Sequence, residues 1–534
     1  MLRIITLCTL LLTTTACLSQ VDAPPTYIIT ATPDAIGTLA HATLPPMQVS
    51  LYSEASPPVE AAALAPEPPL PPKPCEDTIP KRTRYVADAS LNWETHLVDV
   101  MQQVTYMNTT GSVQDEIVFQ VEANRQPGLF TLSRILTADN RLIEDIVIDF
   151  NRMTVPVPGG VGVNCTVTLD MSYSLQLPEV LPGGAGRIGY FGFTPTQINL
   201  GHWMPVVALY SPMLDWMTPR PQVEVGELTT IEASDFKVTL ELLNAPPLAV
   251  AVGPGLGRTV ATKKWEFTLD HARDLTISIG VGMQRKSKIA ENGTVVEVYY
   301  FPANEPPGGD AASQALKAAS DSLVLYEDLF QVDYPYERLV IMQGDFPDGM
   351  EFSGLVFVSK AWFSSWRGLP NEWLTIITVH EVAHQWWYLL VGNDPANYPY
   401  LDEAFATYSE YLYFERFYND QTTWWWDFRV RQHSPQGGVD SDVYLYTEGR
   451  PYINAVYLRG AQMLHAMRTN LGDEAFFAWL NSYIDENQFQ VVTPQELWNA
   501  LDTDLYATTQ PIREEYLTQA NVLPAATSTA TENP

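Results

Sequence analysis

Two histidines four residues apart enclose a glutamate in His380-Glu381-Val382-Ala383-His384, and after eighteen further residues comes Glu403 within Leu401-Asp402-Glu403-Ala404-Phe405-Ala406-Thr407-Tyr408. On a helix, a spacing of four places both imidazoles on one face a turn apart, where they can grip a single ion. Imidazole nitrogens and a carboxylate oxygen are the donor set of catalytic zinc, which takes three protein ligands and keeps a fourth position for water. His380, His384 and Glu403 are therefore the expected ligands of one Zn2+, and Glu381 the base for its water. The surrounding stretch from Glu372 to Leu390 reads as one apolar helix. Burying these polar groups there without a metal would leave them unpaired and costly. Glu410 lies two turns beyond Glu403 on the same expected helix face. It is either a hydrogen-bond partner for a ligand imidazole or a solvated surface carboxylate.

The segments His-Glu-Val-Ala-His-Gln-Trp-Trp at 380–387, Leu-Asp-Glu-Ala-Phe-Ala-Thr-Tyr at 401–408, Tyr457-Leu458-Arg459-Gly460-Ala461-Gln462-Met463-Leu464 and Leu471-Gly472 together resemble the gluzincin aminopeptidases of the aminopeptidase N family, peptidase family M1. The resemblance runs from about Cys75 to Ala520. It implies a zinc peptidase that removes N-terminal residues from peptides, with Tyr457 hydrogen-bonding the oxyanion of the tetrahedral intermediate. It also implies that Glu351, in Asp348-Gly349-Met350-Glu351-Phe352, binds the substrate's free α-amine. That segment resembles the family's Gly-Ala-Met-Glu-Asn, with Phe352 in place of the Asn and Asp348 in place of the first Gly. A further polar contact from the first domain has only a loose counterpart in Thr196-Gln197-Ile198-Asn199. An endopeptidase with the same zinc chemistry is the main alternative, and a non-catalytic peptide-binding protein is disfavoured by the full ligand set. A carboxylate closing the cleft at the substrate's N-terminus separates the first two.

The elements that must hold these residues fall into an α+β, multidomain arrangement. From Cys75 to about Pro302 apolar residues alternate, as in Phe236, Val238, Leu240, Leu242 and in Val296, Val298, Tyr300. Such alternation means half-buried strands, hence a β-rich N-terminal domain over 75–302. Beyond Asn304-Glu305-Pro306-Pro307-Gly308-Gly309 the spacing becomes helical at Leu316, Ala319, Leu323, Tyr326 and Phe330. This opens a mostly helical domain over 303–520, thermolysin-like by the resemblance. It carries two strand-like runs, Leu339–Met342 and Leu355–Val358, and a marked helix start at Thr493-Pro494-Gln495-Glu496. Trp424-Trp425-Trp426 with Phe428 suits core packing better than a pocket wall.

Ahead of these domains, residues 1–17 combine an early Arg3 with a short apolar run and end in Thr14-Thr15-Ala16-Cys17. They read as a signal peptide resembling those of bacterial lipoproteins, with export to the cell envelope and a lipid anchor at Cys17 as the expected membrane attachment. Residues 18–74 are a Pro/Ala-rich spacer and 521–534 a polar tail. Cys75 and Cys165 are the expected disulfide pair. The formal net charge of −32 repels a phosphate backbone, which leaves peptides as the expected partners and nucleic acid as an unexpected one.

Overall fold

The computed structural model describes residue 75 and residues 81–180, 187–220 and 225–519. The chain separates into the units Met1–Pro69 and Leu70–Pro534, and every described residue belongs to the second. The expected signal peptide, the anchor at Cys17, the spacer and the tail lie outside the described residues. Among the described residues, no helix is long and apolar enough to cross a membrane.

The first part of the unit is built from β-sheets. A seven-stranded sheet runs in the order Arg258–Ala261, Lys264–Ala272, Ser234–Leu243, Arg84–Asn92, Leu97–Met107, Thr166–Gln176 and Phe130–Thr137. Its inward faces follow the period-two pattern: Phe236, Val238, Leu240 and Leu242 are all buried, as are Val98, Val100, Val104 and Tyr106 on a neighbouring strand. They share one core with Ile117, Phe119, Met153 and Val155 of a four-stranded sheet and with Ile277 and Ile279 of another. A disulfide joins Cys75 to Cys165, with Cα atoms 5.3 Å apart, inside the range such a bond requires.

The second part starts with a mixed sheet in the order Gln284–Ile289, Val295–Tyr300, Arg338–Gly344, Leu355–Ser359 and Gly349–Met350. Helix α1 (Ala311–Phe330) crosses from Val295–Tyr300 to its parallel neighbour Arg338–Gly344. Asp310 caps the helix by accepting from the Ser313 amide. Ala319, Leu323, Tyr326 and Phe330 are buried along it as their spacing requires. The hairpin Gln284–Ile289/Val295–Tyr300 thus belongs to the sheet of the second part, which moves the sheet boundary to between Val281 and Gln284 instead of 302. Alternation reveals a strand but not its partner, and this hairpin pairs onward with Arg338–Gly344. The rest is helical around one large core. Helix α2 (Lys360–Ser365) precedes α3 (Trp373–Ala383), and α4 (Glu403–Phe417) packs beside α3. The capping box at Thr493 is formed, with Glu496 accepting from the Thr493 amide.

Helix α3 stops short of the expected Leu390. After His384 the backbone leaves helical geometry at Trp387 (φ −97°, ψ 48°) and Tyr388 (φ 176°, ψ −60°). The cause is tertiary. The buried guanidinium of Arg273, from the β-rich part, donates to the carbonyls of Tyr388, Leu389 and Leu390 and also to those of Ile231 and Gln490. These are acceptors that a continuing helix would have used itself.

Candidate metal centre and active site

Helix α3 carries His380 and Glu381 in its last turn and is capped by His384, and Glu403 opens α4. The two helices pack so that His380 Nε2, His384 Nε2 and Glu403 Oε2 meet. The two nitrogens are 3.1 Å apart, and the oxygen lies 3.3 Å from His380 and 3.5 Å from His384. All three side chains are buried.

The outer nitrogens decide what the inner ones offer. His384 Nδ1 lies 3.0 Å from the Trp387 carbonyl, which can only accept, so Nδ1 bears the proton. His380 Nδ1 lies 2.9 Å from Glu410 Oε1. Burial works against ionisation of Glu410, but Arg429 and His380 outweigh it and hold the carboxyl below its ordinary range. His380 Nδ1 is therefore the donor there. With both Nδ1 atoms donating outward, neutral rings would turn both Nε2 lone pairs to a common point, where they repel unless a positive charge, a proton or a metal ion, lies between them. Around a tetrahedral zinc with bonds near 2.05 Å, ligand atoms sit about 3.3 Å apart, and the three distances found fit that edge. The donor types and the unsatisfied geometry thus suit zinc. The carboxylates press in the same direction: burial would lower the His380 imidazole, but Glu403 and Glu410 push it up to about 9. Glu403 stays ionised despite burial because both imidazoles hydrogen-bond it.

Glu381 faces the same cavity. Its Oε2 is buried without a hydrogen-bond partner among the described residues, and burial raises its carboxyl well above the ordinary range. Gly349 makes room for it: a Cβ there would lie 2.2 Å from Glu381 Oε1. Glu351 is 5 % exposed, its Oε1 also unpartnered, and burial pushes its carboxyl up to about 7. Glu351, Glu381 and His384 bring one ligand atom each to within 4.8 Å of one another. Arg338 pairs with Glu297 and so does not neutralise Glu351. Tyr457 donates to Glu403 Oε1 at 2.5 Å, and burial keeps its phenol protonated.

These groups line a cleft of about 440 Å³. Its walls include residues that the spacing arguments did not single out. From the β-rich part come Glu227 and Tyr190, whose hydroxyl donates to the carbonyls of Pro347 and Gly349 and so holds the Glu351 segment. Arg429 grips Glu410 through two bonds of 2.9 and 3.0 Å, and the Trp425 indole adds a third at 3.2 Å. Nothing periodic marks Arg429 or Glu227 in the sequence. Gln197 and Asn199 are absent from the cleft. They bond inward, to Ser278 and to the carbonyls of Gln343 and Gly189. Trp425 and Trp426 are buried and Trp424 packs on Phe414 and Phe428, so the aromatic run is core.

A Peptidase family M1 domain matches residues 314–516. Aminopeptidase N of Lactococcus lactis subsp. lactis is 29% identical over 263 residues, 45% of this chain and 30% of that protein. Aminopeptidase M1-A of Oryza sativa subsp. japonica is 27% identical over 289 residues, 50% of this chain and 32% of that protein. The matched part of this chain spans less than a third of either relative's length. The M1 zinc metallopeptidase of Deinococcus radiodurans has the same fold, with a TM-score of 0.60 at 19% identity over 83% of this chain and 94% of that one. The M1 domain match encloses the helices that carry His380, His384 and Glu403, so this region of the chain is similar to peptidase family M1.

Proposed function

We propose that the protein is a zinc-dependent aminopeptidase that hydrolyses the first peptide bond of peptides. The observation that carries this reading is the buried carboxyl of Glu351, whose Oε1 has no hydrogen-bond partner among the described residues and which lies within reach of both Glu381 and His384. A carboxylate at that place pairs with a protonated α-amine and sets the first peptide bond, not a later one, at the metal. His380, His384 and Glu403 would hold the ion, which when bound supplies an acidified water and polarises the scissile carbonyl. Glu381 Oε2 takes the water's proton and carries it to the leaving amine. The Tyr457 hydroxyl turns from Glu403 Oε1 to donate to the oxyanion. Peptide substrates accord with the Deinococcus radiodurans neighbour, which was solved bound to a Tyr-Ser-Ala substrate.

Comparing kcat/KM for a free and an N-acetylated form of one peptide tests the reading. A charge-assisted contact of about 1.5 to 3 kcal/mol corresponds to roughly ten- to a hundred-fold preference for the free amine, lost in Glu351→Ala. Equal cleavage of both forms by the unaltered protein makes it an endopeptidase. Glu381→Gln is expected to keep zinc and lose turnover.

Export to the cell envelope and acylation at Cys17 belong to the same proposal. Thr14-Thr15-Ala16-Cys17 supports it, as does the Cys75–Cys165 bond, since disulfides persist in oxidising compartments. Mass spectrometry of the mature N-terminus decides the matter. An unmodified terminus at another residue rules the anchor out.

A further inference from the structure

One cation on the cleft has nothing to hold. The carboxyls of Glu227, Asp348, Glu351, Glu381 and Glu403 share its lining with two guanidiniums, those of Arg429 and Arg450. Arg429 is committed to Glu410. Arg450 is exposed, and its guanidinium has no hydrogen-bond or ion-pair partner among the described residues. Solvation alone accounts for most exposed arginines; this one is set apart by its place. In a chain of formal net charge −32, an unpaired cation on a substrate cleft is a seat for a negative charge that the substrate brings.

Arg450, Ile453 and Tyr457 follow one another at intervals of three and four along the helix Gly449–Ile453 and the wider helical turn Asn454–Leu458 that continues it, and all three line the cleft. Tyr457 ends at Glu403, one of the metal-site groups. Seven residues at 1.5 Å each put the Arg450 backbone about 10 Å from that of Tyr457 along the axis, a little less where the turn is wider. Both side chains lean toward the N-terminal end of the run, so the offset carries over to the groups at their tips. Arg450 also lies away from the amine anchor. Gln385, just past the C-terminal end of α3, donates to the Phe352 carbonyl, which places the Glu351 segment there. At the other end of α3 the Arg429 guanidinium lies 5.5 Å from the centre of the Trp373 ring. Arg450 joins it beside His433, whose imidazole is lowered by burial and lowered further by both arginines.

Resting on the aminopeptidase reading, we infer that Arg450 binds the C-terminal carboxylate of short peptides, so that the preferred substrates are peptides of three or four residues with both termini free. With the first peptide bond at the metal, each extended residue beyond it advances about 3.4 Å. The carboxylate of a tripeptide then stands about 7 Å, and that of a tetrapeptide about 10 Å, past the scissile carbonyl, which is the range that separates Arg450 from Tyr457. A dipeptide falls short of it, and a long peptide carries its charge past the site. Because most of the other ionisable groups on the cleft are acidic, a substrate carboxylate would be repelled there without Arg450. A charge-assisted contact to a partly solvated arginine gives about five- to thirtyfold for the free acid over the amide.

The test uses full-length zinc-loaded Glu381→Gln protein and calorimetric Kd values for Ala-Ala-Ala, its C-terminal amide, and the acid and amide of the longer Ala-Ala-Ala-Gly-Ser-Gly-Ser-Gly. The tripeptide acid is expected to bind about five- to thirtyfold more tightly than its amide, and the longer pair to agree within about twofold. Adding Arg450→Gln is expected to bring the tripeptide ratio to about twofold or below, the loss falling on the acid, while Arg450→Lys keeps part of it. Arg450 is exposed, so neither change removes a packed group. A tripeptide amide that binds as tightly as the acid, a ratio that survives Arg450→Gln, or an equal ratio for the longer pair overturns the inference. So does an equal gain from Ala-Asp-Ala-amide, which would assign Arg450 to acidic side chains. Hydrolysis of alaninamide by the protein with Glu381 intact keeps the two readings apart, because that substrate has no carboxylate. Turnover of alaninamide with a flat Kd ratio defeats the Arg450 contact alone, whereas a steep ratio without turnover defeats the activity and leaves the contact.

Discussion

Replacing Arg429 by Met removes a buried cation whose partner, Glu410, is itself the partner of a metal ligand. Arg429 gives Glu410 two hydrogen bonds of 2.9 and 3.0 Å, while Glu410 accepts from His380 Nδ1 at 2.9 Å. Each bond to an ionised group contributes about 1.5 to 3 kcal/mol, so two amount to roughly 3 to 6. That agrees with the 3 to 5 kcal/mol typical of breaking a buried ion pair, where most of the loss is the charge left behind. Glu410 is fully buried and keeps only the His380 and Trp425 donors. The variant is expected to lose about 3 to 5 kcal/mol of unfolding free energy in denaturant titrations. Zinc affinity, measured by chelator competition, is expected to fall about ten- to a hundred-fold because the His380 ring is no longer held. Adding Glu410→Gln removes the stranded charge and should restore part of the stability without restoring the affinity.

The pH dependence gives a separate check. Glu410 titrates below its ordinary range because Arg429 and His380 outweigh burial. A depressed carboxyl contributes stability that is full above its unfolded pKa, about 4.3, and is lost as pH falls through the folded value. The stability gap between the unaltered protein and Arg429→Met should therefore be largest where Glu410 is ionised in both folded forms, and narrow as pH falls and the variant's buried Glu410, no longer held down by Arg429, takes up a proton first. A variant that binds zinc as tightly as the parent would refute the idea that Arg429 orients His380 through Glu410. A gap that widens under acid would refute the electrostatic account.

Gly349→Ala places a methyl carbon 2.2 Å from Glu381 Oε1, so kcat is expected to fall at least about a hundred-fold with zinc content unchanged. Loading zinc near pH 7 should release at least one proton, read from calorimetry in buffers of different ionisation enthalpy, since His380 is raised to about 9 and its Nε2 must be bare to bind. Cys165→Ser opens a loop of 90 residues, which by the chain-entropy argument removes up to about 4.5 kcal/mol of unfolding free energy in denaturant titrations.

The meeting of His380, His384 and Glu403 as a candidate metal site was legible because a four-residue interval on a helix is a local geometric statement, and because their donor chemistry is one that few other roles require. Alternation likewise exposed the buried face of Ser234–Leu243. What stayed hidden depends on pairing at a distance. Val295–Tyr300 alternates as its predecessors do, yet its neighbour is Arg338–Gly344 across α1. Helix α3 looks continuous to Leu390 in its apolar content, and only Arg273, more than a hundred residues earlier, ends it. Arg429 and Glu227 have no spacing signal, because their roles arise from elements that fold onto the cleft.

The β-rich part does more than precede the catalytic one. Arg273 satisfies the carbonyls that follow the break after His384, and that same break turns the Trp387 carbonyl onto His384 Nδ1. Its neighbour Asp274 accepts from the Ser353 amide and hydroxyl and from the Tyr388 hydroxyl. Two adjacent residues of one strand connection thus tie down both the segment that carries Glu351 and the turn that fixes a metal ligand's tautomer. Tyr190 adds its hold on the Gly349 carbonyl beside Glu381. The distance between amine anchor and metal is therefore set by contacts from outside the helical part. Since a shift of about 1 Å between reacting groups can slow a reaction a hundred-fold, the helical part alone would keep the spacing of His380, His384 and Glu403 and lose the proposed register of the first peptide bond at the metal.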